Sequence, residues 1–305
     1  MAFGFWLSPS SSPPPSSPHP PPTYPPTHPL PTHPPMTLLL KNILAIYQRE
    51  LQSYFASPLP YIIAAVFWLL GGFFLVAILL GPQGILAQAA MADQAVQMGL
   101  PTPPPFDVAY EFNKAYVGLL GSLSMFVLPM LSMGLYADER KQGTLELLAT
   151  SPVTNWAVAL GKLLAVVSFY IAMVLPLMVC QAIALGAATP PTGSGVFFLS
   201  HLGLVLVAAS VLALGMFISS LTESTVLAAI MTFALILLLW LVDAVAQGLP
   251  GVLGSAIAHL SLLKHFTDFT EGIFDTGGLV LFLSFIGLGL YLTAQSIETL
   301  RFQRS

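Results

Sequence analysis

Six apolar stretches, each long enough to cross a bilayer as a helix, leave this chain few ways to fold. They run approximately from Tyr61 to Leu80, Ala115 to Tyr136, Leu163 to Ala187, Gly195 to Ser220, Val226 to Ala246 and Gly278 to Ile297. A hydrocarbon core about 30 Å thick takes roughly 20 helical residues to span. Inside it every backbone N–H and C=O must find a partner within the chain, so the expected fold class is all-α integral membrane. Composition agrees: the chain is 56% hydrophobic and 7% charged, where a soluble domain carries about a quarter charged residues.

Orientation follows from the nine Lys and Arg residues. Lys41 and Arg49 precede the first span, Arg140, Lys141 and Lys162 lie between the second and third, and Arg301 and Arg304 follow the sixth. Only Lys114 and Lys264 fall on the other side. Positive charge is retained in cytoplasmic loops, so both termini are expected in the cytoplasm. The net charge of −4 offers no basic surface for nucleic acid.

Residues 1–35 are nearly all Pro, Ser, Thr and His, with Pro-Pro-Pro at Pro13 to Pro15 and Pro20 to Pro22. Such a segment buries too little apolar surface to offset its ordering entropy, and a disordered tail is expected there. Continuous structure is expected from Met36, which also reads as the natural start of the chain. The single cysteine, Cys180, has no second thiol to pair with. His19, His28 and His33 are scattered in the tail, and His201, His259 and His265 lack the i, i+4 spacing of a helical ligand pair, so no metal site is expected.

From Leu38, the residues Leu40, Ile43, Leu44, Tyr47, Leu51, Tyr54 and Phe55 recur at helical spacing, with Lys41, Gln48, Arg49 and Gln52 opposite. This predicts an amphipathic helix lying at the membrane interface, broken by Ser57-Pro58-Leu59-Pro60 before the first span. The densest charge in the chain lies between the second and third spans, at Asp138-Glu139-Arg140-Lys141. Gln142-Gly143-Thr144 and Leu145-Glu146-Leu147-Leu148 follow, and the run reads as a short helix with an apolar side, stopped at Thr150-Ser151-Pro152. Thr154 or Asn155 is placed to cap the next helix.

The run from Glu139 to Val153, ending in Leu160-Gly161-Lys162, resembles the first cytoplasmic loop of ABC-2 type transporter permeases. Arg49-Glu50-Leu51, Tyr54-Phe55 and Ser57-Pro58-Leu59 are similar to the interfacial helix of that family, and Leu260-Ser261 to Phe266, with Phe269, Gly272 and Asp275, to its last outer segment. Together these cover nearly everything after Met36, and they suit the branch associated with gliding motility and copper-enzyme maturation.

The resemblance implies a type V exporter-like permease fold over residues 36–305: a transmembrane subunit paired with a second permease, identical or homologous, and driven by two copies of a separate ATPase. ATP and Mg would then sit in that partner, with no cofactor on this chain. The sequence agrees, because no Gly-x-x-x-x-Gly-Lys-Ser/Thr loop is present to cradle phosphate. In the family the segment matching Glu139, Arg140, Gly143, Thr144, Leu145, Glu146, Leu147, Thr150, Ser151 and Pro152 is the coupling helix, which carries ATPase closure into the membrane. The turn Thr222-Glu223-Ser224 is a second, smaller contact of the same kind, or a bare connector.

Asp243, near the outer end of the fifth span, is either an interfacial residue or part of a translocation path. With His265 and Phe266 it marks the expected outer gate, in a region that resembles the short re-entrant helices of the family. Nearly neutral spans favour an amphiphilic or lipid-linked cargo. The leading reading is an export permease in the cytoplasmic (inner) membrane working by alternating access. The alternative is a secondary transporter without an ATPase, which would need intramembrane charge or broken helices in corresponding halves, and no repeat is visible. A membrane-embedded enzyme is third, since no His, Cys, Asp or Glu cluster lies at catalytic spacing.

Overall fold

The computed structural model of the chain describes residues 36–99, 107–144, 154–187, 193–249 and 251–302. Among these all regular structure is helical: α1 (Met36–Ala56), α2 (Pro58–Leu80), α3 (Ile85–Gln97), α4 (Val108–Ser132), α5 (Gly134–Lys141), α6 (Asn155–Gly186), α7 (Ser194–Leu221), α8 (Thr225–Gly248), α9 (Val252–Ala258), α10 (Leu262–Thr270) and α11 (Thr276–Phe302). Six helical segments are long and apolar enough to cross a membrane, and they coincide with the six expected stretches.

Local chemistry sets the boundaries. Pro58 opens α2 in its first turn, where its missing N–H costs nothing, with Ser57 at the N-cap in extended conformation. Asp107 caps α4, its Oδ1 accepting from the Ala109 and Tyr110 amides at 3.0 Å each. The second span therefore starts seven residues before the expected Ala115, because the first turn is held by a side chain and not by hydropathy. Ser224 caps α8 through the Leu227 amide at 3.3 Å. Thr154 occupies the N-cap of α6 without a side-chain bond.

Three features depart from expectation. The apolar residues of α1 divide: Lys41, Gln48, Arg49 and Gln52 are exposed as foreseen, but so are Leu40, Leu44 and Phe55. Its other side packs on α6. There the Tyr47 hydroxyl donates to Ser168 Oγ at 3.2 Å, and Tyr54 stacks on Phe169 with centroids 5.1 Å apart. Burial among these rings pushes the Tyr54 phenol well above its usual range, with the Glu50 and Asp138 charges adding to the effect. The second departure is α3, an additional helix after the first span. The third is a break between α4 and α5. Pro129 removes one helical donor. Four residues on, the Ser219 hydroxyl of α7 enters the break, donating to the Met133 carbonyl at 2.7 Å and accepting from the Tyr136 and Ala137 amides at 3.1 and 3.0 Å.

The core is organised around α7, whose most apolar window is 78% buried, against 50% or less for each other span. It packs against α4, α5, α6, α8, α10 and α11. Helices gain little from apolar contact alone when lipid is the competing solvent, so close packing and polar ties hold them together. One tie joins three helices: Gln181 Nε2 donates to Asn113 Oδ1 at 3.0 Å, and Asn113 Nδ2 to Ser200 Oγ at 2.8 Å. Ser124 and Tyr170 share a hydroxyl pair at 2.6 Å, and Trp68 Nε1 donates to the Met173 carbonyl at 2.7 Å. The lipid-facing surface falls mainly on α2, α8 and α11, where Leu69, Phe73, Ile230, Trp240, Leu241 and Val280 are exposed.

Candidate functional site

Two groups of residues stand at opposite ends of the bundle. At the α5 end, Lys162 is buried and its ammonium donates to Glu50 Oε1 at 2.9 Å and Glu139 Oε1 at 3.0 Å. The Tyr136 ring lies beneath it, 5.1 Å to the centroid. Lys162 reads in sequence as a cation on the cytoplasmic side of the third span; α6 begins at Asn155, behind the expected cap position Thr154, so Lys162 lies two turns inside the helix. A charge at that depth persists only when paired, and two carboxylates from α1 and α5 supply the pairing. Three helices, α1, α5 and α6, are fastened by one ammonium, the first of them from 112 residues away.

Beside this cluster, Arg140 Nη1 donates to the Ser220 carbonyl at 2.8 Å and Arg140 Nε approaches Glu223 at 3.7 Å. The guanidinium thus sits at the C-terminus of α7, where the helix dipole favours a cation. Both expected coupling segments meet here, since Arg140 belongs to the first and Glu223 to the second. Thr222 Oγ1 accepts from the Ser224 amide at 3.1 Å, which fixes the turn between α7 and α8.

Gly143 follows α5 with φ of +70°. The Thr144 amide returns to the Glu139 carbonyl at 3.0 Å and the Gly143 amide to Arg140 at 3.2 Å, the pairing that closes a helix on a left-handed residue. Gly at this position follows from that geometry. Leu145, Glu146, Leu147, Thr150, Ser151 and Pro152 lie outside the described residues.

At the α10 end, a cavity of about 530 Å³ lies between α4, α7, α8 and α10. Its walls include Gly121, Phe126, Val211, Trp240 and Phe266, with Lys114 and Asp243 as its charged members. Lys114 pairs with Glu271 at 2.8 Å. Asp243 accepts from the Ser261 hydroxyl, which in turn accepts from the Lys264 amide at 3.1 Å and caps α10. Asp243 therefore ties the end of α8 to the start of α10.

Phe266 enters the cavity wall over Gly121: a β-carbon there would lie 2.5 Å from the Phe266 ring. Gly121→Val is expected to overpack this contact at about 1–3 kcal/mol, read as a lower unfolding midpoint of the purified chain, while Gly118→Ala, which meets open space, changes it little.

The neighbouring His265 points elsewhere, to α11, and is buried. Its Nδ1 stands 3.1 Å from Asp275 Oδ2 and 3.7 Å from Asp268 Oδ2. Asp275 accepts from the Gly277 and Gly278 amides at 2.9 and 3.1 Å. The Gly277 bond first, then the Gly278 bond and the nearby histidines, hold its carboxyl below the usual range, with desolvation opposing. Of this group Asp268 was not singled out by the sequence, and Asp275 only as part of the family resemblance, with no role attached. The i, i+3 pairing of His265 with Asp268 was readable; the approach of Asp275 across the turn into α11 was not.

A buried ion cluster joins α1, α5 and α6 at one end, and a largely apolar cavity with a charged rim lies at the other. A family model described as "ABC-2 family transporter protein" matches residues 37–262. The chain belongs to the ABC-2 family of transporter proteins. "Probable multidrug ABC transporter permease YbhR" of Escherichia coli (strain K12) is 29% identical to it over 178 residues, 56% of this chain and 45% of that protein. The protein of the same name from Escherichia coli O157:H7 matches identically. The chain thus spans about half the length of the curated relatives it matches. Permeases of the ABC-2 family are membrane-spanning subunits, and ATP hydrolysis resides in a separate partner.

Proposed function

We propose that this ABC-2 chain is the membrane half of an exporter in the cytoplasmic membrane, with both termini in the cytoplasm, moving its cargo by alternating access. Two copies of an ATPase subunit bind at the α5 end, a second permease completes the path, and ATP and Mg are held by the ATPase alone. The observation that carries this reading is the meeting of Arg140, Ser220 and Glu223 beside the Glu50–Lys162–Glu139 cluster. Force applied to the segment after Gly143 would reach α1, α6 and α7 through the Lys162 pairs and the Arg140–Ser220 bond, which are short and largely shielded from water, and the turn into α8 through the longer, exposed approach of Arg140 to Glu223.

The segment Leu145 to Pro152 completes the docking surface, with its leucines for a groove and Glu146 for register. At the far end Asp243, His265 and Phe266 belong to the outer gate, since α10 is held to α8 and covers the cavity. A mostly apolar cavity with one cation and one carboxylate on its rim suits an amphiphilic cargo, in keeping with the drug-transport name of the Escherichia coli relative.

Affinity purification of the solubilised chain from its native membrane tests the reading. An ATPase subunit is expected to co-purify, and to be lost when Glu139 and Glu146 are both changed to Lys. Recovery of the chain alone, with its fold intact, would overturn it.

A further inference from the structure

We propose that His265, Asp268 and Asp275 form a binding site for a divalent transition-metal ion of the zinc class, joining α10 to the first turn of α11. The inference starts from the protonation of the imidazole. His265 Nε2 lies 3.2 Å from the His259 carbonyl, an acceptor only, so Nε2 carries a hydrogen. In the neutral ring Nδ1 then holds a lone pair. That atom is buried and has no hydrogen-bond partner, yet it faces carboxylate oxygens of Asp275 and Asp268 at 3.1 and 3.7 Å.

Three electron-rich atoms within 4.8 Å of one another repel unless a cation lies among them. A proton on Nδ1 would relieve this by a directed N–H bond to one carboxylate, and neither contact has that geometry. A metal ion needs no such direction. It asks for donors at roughly 2.0–2.2 Å, which in a tetrahedral arrangement sets them about 3.4 Å apart. The two distances from Nδ1 bracket that value, and all three ligand atoms lie within 4.8 Å of one another.

Other features fit a metal site. The bond from Nε2 to a backbone carbonyl is the outer contact that orients a ligating imidazole and fixes its tautomer. The Gly277 and Gly278 amides orient the Asp275 carboxylate in the same way. Two carboxylates balance a 2+ charge, and one imidazole nitrogen with two carboxylate oxygens is a donor set suited to zinc or manganese, water completing the shell. Asp268 and Asp275 are partly exposed, so an ion has a route in from solvent. Nothing in this site depends on the exporter reading.

The test is Zn²⁺ binding to the full-length chain, purified in detergent and stripped with chelator, by equilibrium dialysis with metal analysis and by thermal unfolding. Wild type is expected to bind one equivalent and to unfold at a higher temperature with Zn²⁺ present. Asp268→Asn, at the edge of solvent, is expected to weaken binding at least tenfold and to abolish the thermal shift; His265→Gln should do the same. Unchanged binding in Asp268→Asn would overturn the proposal and direct attention to His19, His28 and His33 of the tail. Failure of the wild type to retain Zn²⁺ would overturn it equally.

Discussion

Lys162→Met is expected to destabilise the chain by about 3–5 kcal/mol, the range observed when one partner of a buried ion pair is removed. The methionine fills the space of the lysine stem, so the loss measures charge and not volume. What remains is the difficulty: Glu50 and Glu139 both direct an oxygen at the vacated position, within 3.0 Å of where the ammonium stood, and both are mostly buried. Two carboxylates without a cation repel one another and lose their hydrogen bonds at once. Adding Glu50→Gln and Glu139→Gln to Lys162→Met removes the uncompensated charge and is expected to restore most of the stability. Thermal unfolding of the three purified chains checks this. A triple variant no more stable than Lys162→Met would show that the cluster acts through packing alone.

Arg140→Ala is expected to leave the fold standing and to weaken coupling. The guanidinium donates to the Ser220 carbonyl at 2.8 Å and is about a quarter exposed, whereas its approach to Glu223 is longer and its partner lies mostly in water. The Ser220 bond therefore dominates, and an exposed pair such as Arg140–Glu223 contributes little. Hydrogen bonds to charged groups are worth about 1.5–3 kcal/mol, which corresponds to roughly ten- to hundredfold in the population of the joined arrangement. Substrate-stimulated ATP hydrolysis by the assembled transporter is expected to fall by that order, with basal hydrolysis retained. Arg140→Lys should recover part of it, and Glu223→Gln should cost less than threefold. Undiminished stimulation in Arg140→Ala would remove this contact from the transmission path.

The spans were legible because a helix in lipid must be apolar over its whole length, a signal that survives any uncertainty about neighbours. The meeting of Arg140 with the second turn was anticipated only as two separate contacts, since nothing local to Glu139–Thr144 points to a residue 80 positions onward. The pairing of Lys162 was hidden for the same reason. Nothing in Leu160-Gly161-Lys162 points to Glu50, 112 residues earlier, as the partner of the ammonium. The α4–α5 break was similarly hidden, because Pro129 alone does not stop a membrane helix and Ser219 is remote. Asp243 stood out as a charge in an apolar span, but its bond to the Ser261 cap depends on where the short helices α9 and α10 pack, which nothing local to Asp243 specifies.

The burial of α7 bears on how the molecule is made. Its neighbours fall into two sets: α4, α5 and α6 emerge from the ribosome before it, and α8, α10 and α11 after it. During synthesis it must therefore wait in the membrane half-covered, with Ser210 turned toward a place not yet filled. Ser200 finds Asn113 on an earlier helix, but Ser210 finds the Phe282 carbonyl only when the last span arrives. The final helix thus acts as the closing piece of assembly, and a chain stalled before it would leave Ser210 without its Phe282 partner.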